Sequence, residues 1–300
     1  MLAIIIPYYK IIFFEATLQS LANQTNKQFK VYIGDDASNE NPNDLLENYK
    51  GKFRFAYHRF EENIGGASLT KQWERCVELS IDEEWIMILG DDDVLSENVV
   101  EEFYKQLPFF KDKSNVVRFS TEVINSKNEI ISKKYDHPVW EKASDSFFRK
   151  LVEKTRISLS EHIFLKESFL KHKFYNYPLG WNSDDHAWFN FTDNKPIYAI
   201  NNSLIYIRVS DHSISGKNDN ENEKRQSVIQ FLKYVITKKF SLFNVDQQLV
   251  LLLNFEVFIK NKRKLSLKEW LLVIFNYIKI FKLFPFLKVC KRFVISIFKY

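Results

Sequence analysis

Cysteine is scarce in this 300-residue chain: Cys76 and Cys290 stand alone, giving neither a disulfide framework nor a metal-ligand spacing. A reducing compartment, the cytoplasm, is the expected home. Long apolar runs are lacking too. The opening MLAIIIPYYK has no basic leader, and Pro7 cuts its apolar stretch short, so it reads as a first strand and not as a signal peptide. Near the other end, SLKEWLLVIFNYIKIFKLF is broken by Lys268, Glu269, Asn276, Lys279 and Lys282, whereas a membrane span needs ~20 residues with few charges. Glycine is sparse, and none follows the first strand, where Pro7-Tyr8-Tyr9-Lys10 stands. A nucleotidyltransferase normally needs a Gly-rich phosphate loop there, which weighs against that class. Acid is missing from one region: residues 261–300 hold ten Lys or Arg against Glu269 alone. The net charge of +5 therefore belongs to the tail and the body is mildly acidic, a distribution that argues against nucleic acid as a partner.

What is present suffices for a sizeable core, with 45% hydrophobic and 16% aromatic residues, in one large domain with an appendage. The pattern predicts strands over 2–6, 29–33, 53–57, 84–89 and 116–120. Between them it predicts helices over about 12–23, 42–49 (Asn41 as cap), 63–79 and 95–110. Strands alternating with helices at this spacing imply βαβ units and a mainly parallel sheet covered on both faces. Further on, 125–134 reads as a hairpin turning near Lys127-Asn128, and helices are expected over about 144–154, 166–172 and 183–192. Residues 197–200 and 204–209 are expected to pair with each other across Asn201-Asn202, ahead of a polar loop at 210–221.

The chain is organised around WIMILGDDDV, residues 85–94. A short apolar run that ends in Asp91, Asp92 and Asp93 reads as a buried strand opening into a loop, and open α/β sheets bind ligands just beyond such strand ends. Three adjacent carboxylates repel one another unless a cation lies between them. A hard ion such as Mg²⁺ or Mn²⁺ would be satisfied by one or two of their oxygens plus substrate phosphates. The plainer alternative is an acidic turn in which Asp93 or Ser96 caps the next helix.

The order IIIPYY, IGDDAS, ENIGG, WIMILGDDDVL, WNSDDHAWF and YIRVSDHSIS, over roughly residues 2–215, resembles the family 2 glycosyltransferases of GT-A (Rossmann-like) fold. The resemblance implies inverting transfer of a sugar from a nucleotide donor, expected to be a UDP-sugar, to an acceptor hydroxyl with a divalent cation, Mg²⁺ or Mn²⁺. It implies that Pro7 and Tyr9 line the nucleoside pocket and that Asp35 and Asp36 read the base edge and ribose; turn chemistry is their alternative. Asn63 and Gly65 belong to the ENIGG turn at the donor. Asp92 becomes the metal ligand, with Asp91 nearer the ribose and Asp93 supporting. Gly90 stands where the family commonly has an aspartate. Asp184-Asp185 matches the family's acidic pair, Asp185 being the expected general base and Asp184 a positioning group; a helix N-cap is the alternative. His212 would complete the metal shell or meet the diphosphate, and Arg208 would contact phosphate. Lys71 occupies the place of a commoner Arg-Asn pair, as a point charge near the phosphates.

The expected division is 1–215 as the transferase domain and 216–300 as a helical appendage, basic and amphipathic from about 261. Aromatics interleaved with Lys and Arg there suit an interfacial helix pair on the cytoplasmic face of a membrane and an acceptor that is a lipid-linked or cell-surface glycan precursor. A helical pair packed on the body or on a partner is the alternative. A non-catalytic sugar- or lipid-binding scaffold is the rival outside enzymes.

Overall fold

A computed structural model describes residues 1–217 and 219–298, with the side chains of 297 and 298 outside the description. The chain forms two compact units, Met1–Asn220 and Glu221–Tyr300.

In the first unit, β1 (Leu2–Tyr8) lies between β2 (Phe29–Asp35) and β4 (Trp85–Ile88), with β3 (Phe55–Arg59) beyond β2, all parallel. Burial on both faces explains why LAIII is continuously apolar. Alternation sorts its side chains: Leu2, Ile4 and Ile6 join one core layer with Phe14 and Leu18 of α1 (Phe14–Ala22) and Phe103 of α4 (Val99–Phe110). Ala3 and Ile5 join the opposite layer with Trp73 and Cys76 of α3 (Leu69–Val77) and Trp188 of α7 (Ser183–Phe191). Pro7 lies beyond Ile5, the last β1 residue paired with β4, so its missing N–H falls where that ladder has already opened.

The sheet continues through β8 (His162–Leu165), β6 (Val116–Ile124), β9 (Ile197–Arg208) and β5 (Val94–Leu95), and β7 (Trp140–Glu141) pairs with β9. Strand β8 is antiparallel to both β4 and β6, which makes the sheet mixed and mostly parallel. Helices α2 (Asn43–Glu47), α5 (Ala143–Leu151) and α6 (Lys166–His172) complete the unit.

Three expectations are corrected here. Residues 197–200 and 204–209 do not pair with each other; they form one strand, β9, running parallel to β6 with a register shift between Phe119 and Ser120. Asn201-Asn202 is the irregular point of that strand and not a turn. Leu95 does not start a helix, because Val94–Leu95 pairs with β9 and α4 begins only at Val99, with Asn98 in place of Asp93 or Ser96 as N-cap. Helix α3 likewise starts at Leu69 behind Ser68, whose Oγ accepts from Lys71 N, so the ENIGG residues form the preceding turn.

Gly34 shows how closely β2 and α3 approach. A Cβ there would overlap Cys76 Sγ and stand 3.1 Å from the Phe60 ring. Gly34→Ala is expected to lower stability by about 1–3 kcal/mol through overpacking, read as a reduced midpoint in urea unfolding of the full chain. An unchanged midpoint would show that the helix shifts freely.

The second unit holds α8 (Glu221–Tyr234), which passes into a π-helical turn at Val235–Lys239, then α9 (Val245–Lys260), α10 (Leu267–Ile280) and α11 (Leu283–Phe298). Capping boxes start two of these helices: Asn244 with Gln247 on α9, and Ser266 with Glu269 on α10. Leu251, Phe255, Trp270, Val273 and Val289 are buried in this unit. The last helix, α11, is described to Phe298.

Candidate active site

The carboxyl ends of β1 and β4 open into a cleft of about 550 Å³. Pro7, Tyr9 and Lys10 line it from the end of β1, and Gly90 to Asp93 from the end of β4. The rest of the lining comes from Thr155–Ser160, from Leu179–Asn182 and Asp184, and from Arg208 and the 212–215 loop.

The three aspartates of GDDD differ in what they hold. Asp91 Oδ2 accepts from Tyr9 N at 2.8 Å and Lys10 N at 2.9 Å, which ties the end of β1 to the loop after β4. Asp93 is turned inward: Oδ2 accepts from Ser160 Oγ at 2.5 Å and Oδ1 from Arg208 N at 2.8 Å. Burial pushes its carboxyl up to about 6. Asp92 faces the cleft, and among the described residues no side chain donates a hydrogen bond to it. Burial, with Asp93 and Asp91 alongside, raises its carboxyl well above the usual range. Gly90 leaves these groups room, since a Cβ there would lie 2.9 Å from Asp92 Oδ1 and 3.0 Å from Asp93 Oδ2.

Asp184 and Asp185 occupy the first turn of α7, where the helix dipole favours anions. Their environments diverge. Asp185 lies outside the cleft lining, behind Lys150 and Asn182: Oδ2 meets Lys150 Nζ at 2.5 Å and Asn182 Nδ2 at 2.7 Å, and the side chain has no solvent exposure. Asp184 lines the cleft and is half-buried. Burial and the neighbouring Asp185 push its carboxyl up to about 7, against the opposing pull of Lys150. Helix α7 itself starts from Asn182 in the left-handed conformation, not from a side-chain cap by Ser183 or Asp184.

Other expected residues are placed differently. Asp35 and Asp36 are buried at the end of β2, outside the cleft lining. Asp35 accepts from Ser38 N, Tyr57 OH and Arg59 Nη1, while Asp36 accepts from Ile64 N, Gly65 N and Arg75 Nη2. Their oxygens are thus engaged by protein donors, as turn chemistry predicts. Asn63 Oδ1 accepts from Gly66 N, and a Cβ on Gly65 would come within 2.5 Å of Asp36 Oδ2. Lys71 is exposed and pairs with Glu74; the cation beside Asp36 is Arg75, stacked on Phe60. Arg208 borders the cleft, but its guanidinium is engaged by protein: Nε donates to Asp92 O, Nη1 to Asn125 O and Nη2 to Asn128 Oδ1, over the Phe13 ring. It holds the aspartate loop in place.

His212 reaches the cleft rim, where its carbonyl accepts from Lys10 Nζ and its ring lies edge-on to Phe13. It does not group with Asp92 and Asp93 as expected: among the described residues no three His, Cys, Asp or Glu side chains form a cage for an ion. The donor set still fits a hard divalent cation of the kind that takes one or two carboxylates and completes its shell from phosphate and water. Asp92 offers such an ion a carboxylate facing the cleft among crowded like charges.

Lys150, Arg156 and Ser160 also line the cleft. Lys150 joins Asp185 to the cleft, and Ser160 Oγ bridges Asp93 and Gly90 N. No motif marks them, because α5 and the 155–160 segment meet the aspartates only through the antiparallel insertion of β8.

The model of the family described as glycosyl transferase family 2 matches residues 3–171. Among solved structures, S. aureus TarS 1–349 in complex with UDP-GlcNAc is similar at a TM-score of 0.64 and 15% identity, over 92% of this chain and 79% of that one. The same protein in complex with UDP gives 0.61 and 16%, over 95% and 82%. Comparison with curated proteins gives no match. At these identities the structural likeness establishes the GT-A fold, and the match over more than half of the chain establishes the rest: this protein belongs to glycosyl transferase family 2.

Proposed function

We propose that the protein transfers a sugar, with inversion, from a nucleotide-sugar donor to an acceptor hydroxyl. One observation carries this reading: Asp92 and Asp184, far apart in sequence, present their carboxylates to one cleft. A UDP-sugar is the favoured donor, on the likeness to a protein solved with UDP-GlcNAc and with UDP.

In this mechanism the donor lies across the ends of β1 and β4, with its sugar toward α7. The acceptor hydroxyl approaches the anomeric carbon from the face opposite the leaving diphosphate. Asp184 accepts the hydroxyl proton as the new C–O bond forms and the bond to the diphosphate breaks. Asp184 replaces Asp185 in this role, because Asp185 is turned to Lys150 and lies outside the cleft lining. Lys150 holds Asp185, and Arg208 fixes the backbone of Asp92. A divalent cation held by Asp92 would supply positive charge against the negative charge that develops on the departing diphosphate. The proposed acceptor is a lipid-linked or cell-surface glycan precursor at the cytoplasmic face of a membrane, in keeping with the basic, amphipathic C-terminal unit.

The test is a screen of nucleotide sugars for release of nucleoside diphosphate with Mn²⁺ or Mg²⁺ present, on the wild type and on Asp92→Asn. One donor is expected to be turned over in a chelator-sensitive way. The variant is expected to lose about 10²–10³-fold in kcat, the scale of removing one group that stabilises transition-state charge. Equal turnover by Asp92→Asn would place the leaving-group site elsewhere.

A further inference from the structure

In the C-terminal unit α10 buries one face and leaves another bare. Trp270, Val273, Asn276 and Tyr277 are buried, whereas Leu267, Leu271, Phe275 and Ile278 are exposed at spacings of four, four and three residues. That spacing draws one stripe along a helix. Beyond Ile280 the chain turns through Phe281, which adopts a left-handed conformation and is 93% exposed. Leu283 and Phe284, 75% and 68% exposed, open α11 at the same turn. Further along, Leu287, Val294 and Ile295 remain exposed while Val289 is buried. Two helices and their connection thus show a continuous series of large apolar side chains to solvent.

Cations border the apolar series. Lys279 lies over the Phe275 ring at 4.3 Å and Lys288 over the Phe284 ring at 4.4 Å, each on the exposed side of its helix. Lys268, Lys282 and Lys291 are exposed beside them. The acids of the region are already committed: Glu269 to Arg263 and the Ser266 cap, Glu256 to Arg292 and Lys260. Among the described residues, Lys268, Lys279, Lys282, Lys288 and Lys291 form no ion pair, so the lysine rim faces outward. A second copy docked by the same face would bring these lysines against one another. An anionic surface would pair with them, and its acyl layer would take the apolar series. No helix of the described residues is long and apolar enough to cross a membrane.

We infer that the α10–α11 pair is a monotopic docking surface for an anionic lipid bilayer, with Phe281, Leu283 and Phe284 as the inserted tip and the lysine rim on the headgroups. This deepens the membrane location proposed above and rests on that reading for its biological sense, but its chemistry is independent of the transferase cleft. Apolar burial together with headgroup attraction sets the affinity, and each cation near an anionic surface contributes about fivefold in partition.

The test is co-sedimentation of the full chain with vesicles of phosphatidylcholine alone or mixed with phosphatidylglycerol, with donor hydrolysis measured in parallel without vesicles. The protein is expected to pellet with the mixed vesicles, to be released by high salt, and to stay in the supernatant with neutral ones. Phe281→Glu/Phe284→Glu is expected to reduce binding at least about tenfold with unchanged helical circular dichroism and unchanged donor hydrolysis. Lys279→Gln/Lys282→Gln/Lys288→Gln serves as the second variant and is expected to weaken binding on mixed vesicles only. Equal binding to both vesicle types, no binding to either, or a dimer in light scattering that Phe281→Glu/Phe284→Glu disperses would each overturn the proposal. Loss of donor hydrolysis in the wild type would instead strike the transferase reading and leave the vesicle result standing.

Discussion

Asp184→Asn should abolish sugar transfer while leaving nucleoside diphosphate binding intact. The substitution keeps the size of the side chain and removes its ability to take a proton. General-base catalysis is worth about 10²–10⁴-fold, so kcat should fall by that factor. Asp184 enters the cleft from α7 and not from the aspartate loop, so titration calorimetry with the nucleoside diphosphate should give an affinity close to wild type. Asp185→Asn makes the contrast. It strips Lys150 of its carboxylate at 2.5 Å, in a pair whose lysine is 29% exposed, and an unsatisfied charged partner costs roughly 1–3 kcal/mol. That variant should lose stability first and activity second. If Asp185→Asn is as stable as wild type yet inactive, and Asp184→Asn still turns over, the roles are reversed.

The pH profile follows from the same geometry. A base works only when ionised, and Asp184 is pushed up to about 7 by burial and by Asp185. Below pH 7 each unit of acidification therefore removes about nine-tenths of the active form, and log kcat/KM should fall with unit slope. Above pH 7 it should level. Lys150 pulls Asp184 toward ionisation, so Lys150→Met should shift the limb to higher pH. A limb near pH 4 in the wild type would mean that the cleft does not hold Asp184 as described.

Much of this site is legible in the residue order, and the illegible part has a physical cause. The run WIMIL and the carboxylates that follow it fix a buried strand with an acidic end, because only a central strand tolerates such apolarity and only its end tolerates such charge. For Pro7 and Tyr9, at the strand end where Tyr9 N meets Asp91, the guide is the family resemblance. It fails where two adjacent residues of one chemistry must be told apart. Asp184 and Asp185 are about 100° apart on a helix, and which faces the cleft depends on Lys150, thirty-odd positions upstream on another helix. Arg208 misleads for a similar reason: a strand-end arginine near aspartates suggests phosphate binding, but its donors close on carbonyls supplied by Asp92 and Asn125. Strand β8 is only four residues long and carries no turn signal of its own, so its insertion between β4 and β6 is invisible until the sheet is assembled. With it goes the 155–160 segment, which walls the cleft beside the aspartates.

That wall is held by one buried ion pair, and breaking the pair should destabilise the molecule more than either Gly34→Ala or Asp185→Asn. Arg118 on β6 and Glu161 are 1% and 0% exposed and meet at 2.6 Å. Arg118 Nη1 also donates to Ser146 Oγ at 2.9 Å, and Nη2 donates to Arg156 O. Glu161 Oε2 accepts from Ser158 N and Ser158 Oγ. Two of the residues lining the cleft, Arg156 and Ser158, are thus anchored by a charge network with no access to water. Arg118→Met strands Glu161 as an unpaired buried carboxylate and should cost about 3–5 kcal/mol, measurable as a lowered midpoint in urea. Arg118→Met/Glu161→Met should recover much of that loss, since apolar replacement of a buried pair is often neutral or better. It should not recover activity: Arg156 O and the Ser158 groups still lack their partners, so the 155–160 wall relaxes. Stability restored with turnover still depressed separates a wall that shapes the cleft from a pair that merely holds the fold. If the double variant regains full turnover, the wall is positioned by its chain ends, and Arg118 serves only the core.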